Sequence, residues 1–262
     1  MKYIDAHAHV FPDHIVEKVI GSLQDFYGFK WQGKGIVSDL LKSMEDAQIS
    51  RSVIFSAATK AEQVESIHNY IHSILEAFPG KFIGFGSMHP AYKNFKDEFK
   101  RMRELGLQGI KFHPDFQQFA IDQQEMMPIY EAIGPDMPIL FHVGDKRFRN
   151  SNPAQLANML DSISGLTVIA AHMGGYSQWA EAWEKIIGRK DVYVDISSTI
   201  GHISPEETAK MVRAHGADRV LFASDYPAVS QKQAIADVLS LNLSPEENEL
   251  IFHKNAERLF HL

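Results

Sequence analysis

His7 and His9 stand two residues apart in Ile4-Asp5-Ala6-His7-Ala8-His9-Val10. On a β-strand such residues share a face, so the pair would aim two imidazoles at one point. Zinc and similar divalent ions take imidazole nitrogen together with carboxylate oxygen, and a catalytic site leaves one position open for water. His142, His172 and Asp225 close apolar runs further along, in Phe141-His142, Ala170-Ala171-His172 and Ser224-Asp225. A single histidine among apolar residues is more often a hydrogen-bonded core residue than a ligand. Five candidates in matching settings point instead to one metal site. The chain has no cysteine, which excludes thiolate ligands and disulfides and leaves any ion to His, Asp, Glu or a modified Lys.

The elements that must position these residues alternate along the whole chain. Short apolar runs predict strands over Tyr3–Val10, Arg51–Ala57, Phe82–Met88, Gly109–His113, Pro138–Val143, Thr167–His172, Val192–Ser197 and Val220–Ser224. Between them, amphipathic patterns predict helices over Ile36–Ala47, Thr59–Phe78, Phe95–Leu105, Gln124–Gly134, Asn152–Ile163, Gly175–Ile187, Pro205–His215 and Ala228–Leu241. Eight strand–helix units imply an α/β fold, a single (β/α)8 TIM barrel, because a doubly wound sheet usually stops at five or six strands. Ser204-Pro205-Glu206-Glu207 carries a cap, a first-turn proline and early acids for a helix start. Ser244-Pro245-Glu246-Glu247 repeats it and opens an extra C-terminal helix through Phe260. No linker or repeat interrupts residues 1–262, which read as one domain. Residues 11–35, rich in glycine and aromatics, read as an extended loop or small helix over the barrel mouth.

Strand alternation sets Asp5, His7 and His9 against Ile4, Ala6 and Ala8, and Lys111 and His113 against Ile110 and Phe112. It likewise sets His142 against Ile139 and Phe141, His172 against Ile169 and Ala171, and Asp225 against Phe222 and Ser224. Each polar candidate lies at or near the C-terminal end of its strand, where barrel active sites are built. Asp5 can either orient a ligand histidine or brace the strand start. Arg147, in the cationic loop Asp145–Asn150, suits a carboxylate-bearing substrate, and Tyr176 and Tyr226 could wall a planar one.

The net charge of −7 and the lack of any Lys/Arg-rich run exclude a nucleic-acid partner. No stretch approaches the ~18–20 apolar residues of a membrane span. The N-terminus reads straight into a strand without a leader pattern, so the expectation is a soluble cytoplasmic enzyme with a small-molecule substrate. A homodimer is compatible with the helical exterior.

The motif order resembles the amidohydrolase superfamily: His-x-His on strand 1, Phe141-His142-Val143-Gly144, Ala170-Ala171-His172-Met173-Gly174-Gly175 and Ser224-Asp225-Tyr226-Pro227. More narrowly it resembles the amidohydrolase 2 group, which includes aminocarboxymuconate-semialdehyde decarboxylase-type enzymes and metal-dependent lactonases. The resemblance runs to Asn255-Ala256-x-Arg258-Leu259-Phe260 in the last helix. It implies that His7, His9, His142 and Asp225 ligate one divalent metal, zinc before manganese. It further implies that His172 contacts the water or the substrate carbonyl, and that Asp225 carries the proton. Amidohydrolases with two metals bridge them through a carboxylated strand-4 lysine. In this group Lys-x-His-Pro accompanies a single ion, so Lys111 and His113 are expected to bind substrate. The implied function is metal-dependent hydrolysis of a small lactone, ester or amide. The alternative is non-oxidative decarboxylation of a small unsaturated or aromatic acid. The chain is shorter than typical decarboxylases of the group and its strand-5 loop departs from theirs, which favours hydrolysis. A non-catalytic metal-binding barrel is disfavoured, because all five candidate positions are intact.

Overall fold

A computed structural model describes all 262 residues. The chain runs β1 (Tyr3–His9), α1 (Asp13–Tyr27), α2 (Val37–Asp46), β2 (Ile49–Phe55), α3 (Val64–Ala77), β3 (Phe82–Ser87), α4 (Phe95–Glu104) and β4 (Gly109–Phe112). It continues through α5 (Pro114–Gln117), α6 (Met127–Ile133), β5 (Ile139–Phe141), α7 (Pro153–Ser162), β6 (Val168–Ala170), α8 (Trp179–Lys185), β7 (Val192–Asp195) and α9 (Pro205–His215). It ends with β8 (Val220–Leu221), α10 (Gln231–Leu239), α11 (Pro245–Glu249), a π-helical turn over Leu250–Lys254 and α12 (Asn255–Leu259). The eight strands are parallel and pair in sequence order, β1 to β8. β8 returns to β1 through Ala6 N–H to Phe222 O, Asp225 N–H to His7 O and His9 N–H to Tyr226 O, at 2.9, 3.0 and 2.7 Å. The expected (β/α)8 barrel with its C-terminal helical extension is therefore observed. No helix is long and apolar enough to cross a membrane.

Two apolar cores follow from the pleat. Alternate strand residues such as Ile110, Phe112, Ile139 and Phe141 pack outward against the helices in the larger core. The opposite set, including Ile4, Val53, Phe85, Leu140 and Ile169, fills the lumen. Phe260 of the chain's last turn enters that lumen from below, edge-on to Phe85 with ring centroids 5.9 Å apart. The barrel is thus packed at its base, and space opens only at the C-terminal mouth.

Strand alternation fails as a guide in two places that matter for the site. In β1, Asp5 pairs with Ser52 but Ala8 with Ile54, so β1 takes three steps where β2 takes two. That is a β-bulge, which lets consecutive residues face one side. Ile4 and Ala6 therefore lie in the lumen below, while His7 and His9 line the cavity above. Asp5 is directed away from that cavity. After β6 the chain leaves the sheet altogether: His172 and Met173 take φ of 60° and 52°. His172 reaches the cavity by this turn, although Ile169 and Ala171 occupy the inward strand positions. The largest departure from the sequence reading is α1, a fifteen-residue helix where a loop or short helix was expected.

Candidate active site

His7, His9 and Asp225 meet at the floor of the mouth. His7 Nε2 lies 3.3 Å from His9 Nε2 and 3.3 Å from Asp225 Oδ1, and His9 Nε2 is 3.4 Å from the same oxygen. These are the spacings a single ion imposes, since bonds of ~2.0–2.1 Å in tetrahedral geometry set donors about 3.3–3.4 Å apart. Asp225 sits at φ 60°, a left-handed backbone that is uncommon outside glycine and clusters at functional sites. Its Oδ2 accepts a 2.6 Å hydrogen bond from Ser198 Oγ. Burial alone would raise the Asp225 carboxyl, but His7, His9 and His172 outweigh it and hold the group far below the usual carboxylate range.

Asp195, at the end of β7, organises the histidines from beneath, and the sequence reading passed over it. Its Oδ2 accepts from His7 Nδ1 at 2.8 Å. Its Oδ1 accepts from His172 N–H, Ser197 N–H and Ser197 Oγ at 3.0, 3.1 and 2.6 Å. The proton on His7 Nδ1 leaves Nε2 as a lone pair facing His9 and Asp225. The same reasoning extends further. Ser197 Oγ gives its proton to Asp195, so it accepts from His172 Nδ1 at 3.0 Å. His172 Nε2 then accepts from His142 Nδ1 at 3.0 Å. His142 is left with a bare lone pair on Nε2, a buried atom with no hydrogen-bond partner. Burial, then the nearby His113, pushes His142 well below the ordinary histidine range, so it stays neutral. An orphaned imidazole lone pair is the chemistry of a ligand awaiting a cation. The donor set therefore fits a divalent metal held by His7, His9 and Asp225. His142 lies beside that triad, its Nδ1 turned to His172, and is not part of the close three-atom group.

Lys111 is fully buried in β4, its Nζ 3.4 Å from His7 Nε2 and 5.0 Å above the Phe55 ring. Burial pulls its ammonium down to about 8, against the attraction of Asp195 and Asp225. His113 stacks on His142 with ring centroids 4.1 Å apart, and Tyr27 Oη lies 3.2 Å from its Nε2. Gly144 lets the segment after β5 approach the segment after β6. At φ 81° its α-carbon passes so close to Gly175 that a β-carbon would lie 2.7 Å from backbone.

Two residues expected at the substrate do not line the cavity. Arg147 is captured by Asp145 two residues earlier, with Nη2 at 2.7 Å and Nε at 3.0 Å from its carboxylate oxygens. Its Nη1 donates to Phe26 O at 2.6 Å, so it grips the C-terminal end of α1. Tyr226 donates through Oη to Asp39 at 2.7 Å and packs under Gly33. It ties α2 and the loop before it to the segment carrying Asp225. Asp5 braces backbone, accepting from His7 N–H at 3.1 Å, Ser224 Oγ at 2.6 Å and Gln231 Nε2 at 2.8 Å. It touches no ligand imidazole; Asp195 has that role. Tyr176 does line the cavity, whereas Trp179 supports His172 by donating to its carbonyl at 3.0 Å.

The comparisons with known proteins bear on the fold and the family. No curated protein matches the chain. An uncharacterized TIM-barrel protein from Bordetella bronchiseptica is 19% identical, with a TM-score of 0.77 over 100% of this chain and 99% of its own. A dihydroxybenzoic acid decarboxylase from a Polaromonas species, solved with manganese and 2-nitroresorcinol, is 17% identical at TM-score 0.76, covering 100% and 97%. A provisionally named 2-pyrone-4,6-dicarboxylic acid hydrolase from Pseudomonas putida is 19% identical at TM-score 0.71, covering 99% and 97%. At such identities these likenesses establish the barrel alone. The amidohydrolase family model, by contrast, matches residues 4–262, from the strand that carries the histidine pair to the final residue. The chain accordingly belongs to the amidohydrolase family of metal-dependent enzymes.

Proposed function

We propose that this enzyme hydrolyses a small lactone, ester or amide with one divalent cation, zinc by preference, held by His7, His9 and Asp225 with His142 as the adjacent donor. The carrying observation is the charge pattern of the cavity above the triad. Of about 680 Å3, it is lined by one cation, Lys111, and one anion, Asp225, with no arginine. An uncharged acyl group suits such walls better than a di- or tricarboxylate, which calls for guanidinium forks. A cation bound at the triad would polarise the substrate carbonyl and make water acidic enough to attack near neutral pH.

The chain's own residues supply the rest. Asp225 and His9 are the exposed members of the triad, with side chains 18% and 15% open against 1% for His7, so they face the substrate. Asp225 remains ionised at neutral pH, the state required to take a proton from water and pass it to the leaving oxygen or nitrogen. Ser198 holds that carboxylate in place through its 2.6 Å hydrogen bond. His172 keeps His142 oriented. Lys111, buried at the floor, stabilises negative charge that develops on the carbonyl oxygen.

Lys111 also favours a second reading, decarboxylation, because a buried ammonium gives a carboxylate somewhere to bind. The similarity to a dihydroxybenzoic acid decarboxylase supports it, and the manganese in that protein supports manganese as the alternative ion. One assay separates the two. Protein loaded with zinc or manganese is offered lactones and esters under a pH-stat, amides under detection of the released amine, and hydroxylated aromatic acids under CO2 detection. Acid or amine release without CO2 is the expected result. CO2 release from the aromatic acids, with the acyl panel inert, would overturn hydrolysis.

A further inference from the structure

Helix α1 is amphipathic, yet Val16 is its only buried side chain. Ile15, Val19, Leu23 and Tyr27 recur at every fourth residue and so share one stripe. All four line the cavity instead of the core. Ile67 and Tyr70 of α3 line it too, together with Phe29 and Trp31 from the loop after α1. A helical stripe of this kind normally packs against protein. Here it faces open space. Ile15 and Phe29 are 40% and 39% exposed; away from the chain ends, only Trp183 and Leu239 among large hydrophobic residues are as open.

Formal charge divides the cavity, whose lining also includes the polar side chains of His14, Thr59, Gln63 and Ser66. Lys111 and Asp225 both belong to the metal-type floor, and Tyr27 marks the boundary, its ring ending the stripe and its hydroxyl reaching His113 at 3.2 Å. A volume of 680 Å3 has room for roughly 20 water-sized groups, at ~30 Å3 each. That is about twice the number of heavy atoms in a single-ring carboxylic acid.

We propose that the substrate is amphiphilic. Its ester, lactone or amide group lies on the floor, and an uncharged alkyl or arylalkyl chain of roughly six to ten carbons lies along the α1 stripe. The head group rests on the hydrolytic reading above; the tail chamber does not.

The test titrates straight-chain carboxylates of two to ten carbons, the products of such a hydrolysis, onto the metal-loaded enzyme by calorimetry. Affinity should climb about three- to fourfold per methylene and level off near eight carbons. The kcat/KM for the corresponding methyl esters should climb with it. Val19→Lys and Phe29→Lys should flatten the series while metal affinity stays at the parent value, which shows that both variants are folded. Length-independent binding in the parent enzyme would overturn the chamber. Length-dependent binding with inert esters, and CO2 released from arylalkyl acids, would retain the chamber and overturn the hydrolytic reading.

Discussion

Replacing Asp195 by asparagine should weaken the metal site without disturbing its shape. The side chain is isosteric and fully buried, so no cavity is created. An amide, however, accepts on one side only. If its nitrogen turned toward His172 N–H, Ser197 N–H and Ser197 Oγ, three buried donors would lose their acceptor, at ~1–3 kcal/mol each. The oxygen therefore stays on that side and the NH2 group faces His7 Nδ1, now 2.8 Å from a carboxylate oxygen. His7 must then carry its proton on Nε2, the atom directed at His9 and Asp225. Loss of such a supporting carboxylate typically lowers metal affinity 10–100-fold, or about 1.4–2.7 kcal/mol. Competition with a chromogenic chelator for zinc and manganese measures this directly, and thermal unfolding without metal checks the fold. A metal Kd within twofold of the parent's would refute the assignment of Asp195 as the group that fixes His7.

Asp225→Asn should leave the circular dichroism spectrum unchanged and lower kcat about 10²–10⁴-fold, the usual contribution of a positioned proton carrier; an unaltered kcat would remove Asp225 from that role. The double variant His7→Ala, His9→Ala should bind no ion, and its melting temperature should no longer rise on adding metal; full occupancy by elemental analysis would contradict the triad. Phe260→Ala should cost ~3–5 kcal/mol in urea unfolding, because the ring fills the base of the lumen at 5% exposure; a loss below about 1 kcal/mol would show that the base collapses around the gap. Acid should destabilise the fold through His215. Burial, then Arg219, lowers its pKa to about 4 from 6.5. It is held neutral, with Nε2–H donating to Val192 O and Nδ1 accepting from Gly188 N–H. Below pH 6.5 the unfolded chain takes up a proton that the folded chain refuses until about pH 4. Stability present above pH 6.5 is therefore lost as pH falls through that window, by about 3 kcal/mol. His215→Gln should make the fall in stability from pH 7 to 4 shallower by about this amount, measured as denaturant midpoints, with buried histidines of the site such as His142 supplying the remainder; an unchanged slope would clear His215.

Barrel and triad were legible because both rest on regular periodicity and on residue type. Strands β3 and β4 lie within a residue of their predicted bounds, and Lys111 and His142 lie on the sides that alternation assigns. What escaped depends on local breaks in that regularity. The bulge in β1 shifts the phase between Ala6 and His7, which no count of alternating residues can register. His172 reaches the site through a left-handed turn after β6, so its predicted direction came from the wrong cause. Helix α1 was obscured because its apolar stripe serves a cavity and a poor helix former, Gly21, lies at its middle. Arg147 was visible as a charge, but its neutralisation by Asp145 is a matter of rotamers. Asp195 carried a readable signal, an acid closing the apolar run Val192-Tyr193-Val194, and was passed over in favour of histidines.

The join between β1 and β8 gives the site a place in time. His7 and His9 belong to the first ten residues, and Asp225 lies across the join, so synthesis must pass residue 225 before three donors exist in one chain. Drawing together ends separated by some 220 residues carries a loop-closure entropy on the order of 5 kcal/mol. An ion bound across this join would offset part of that cost, acting as the clasp of a ring. Metal capture by these three donors would then require ring closure, so a growing chain would gain no protection from metal until β8 had joined β1.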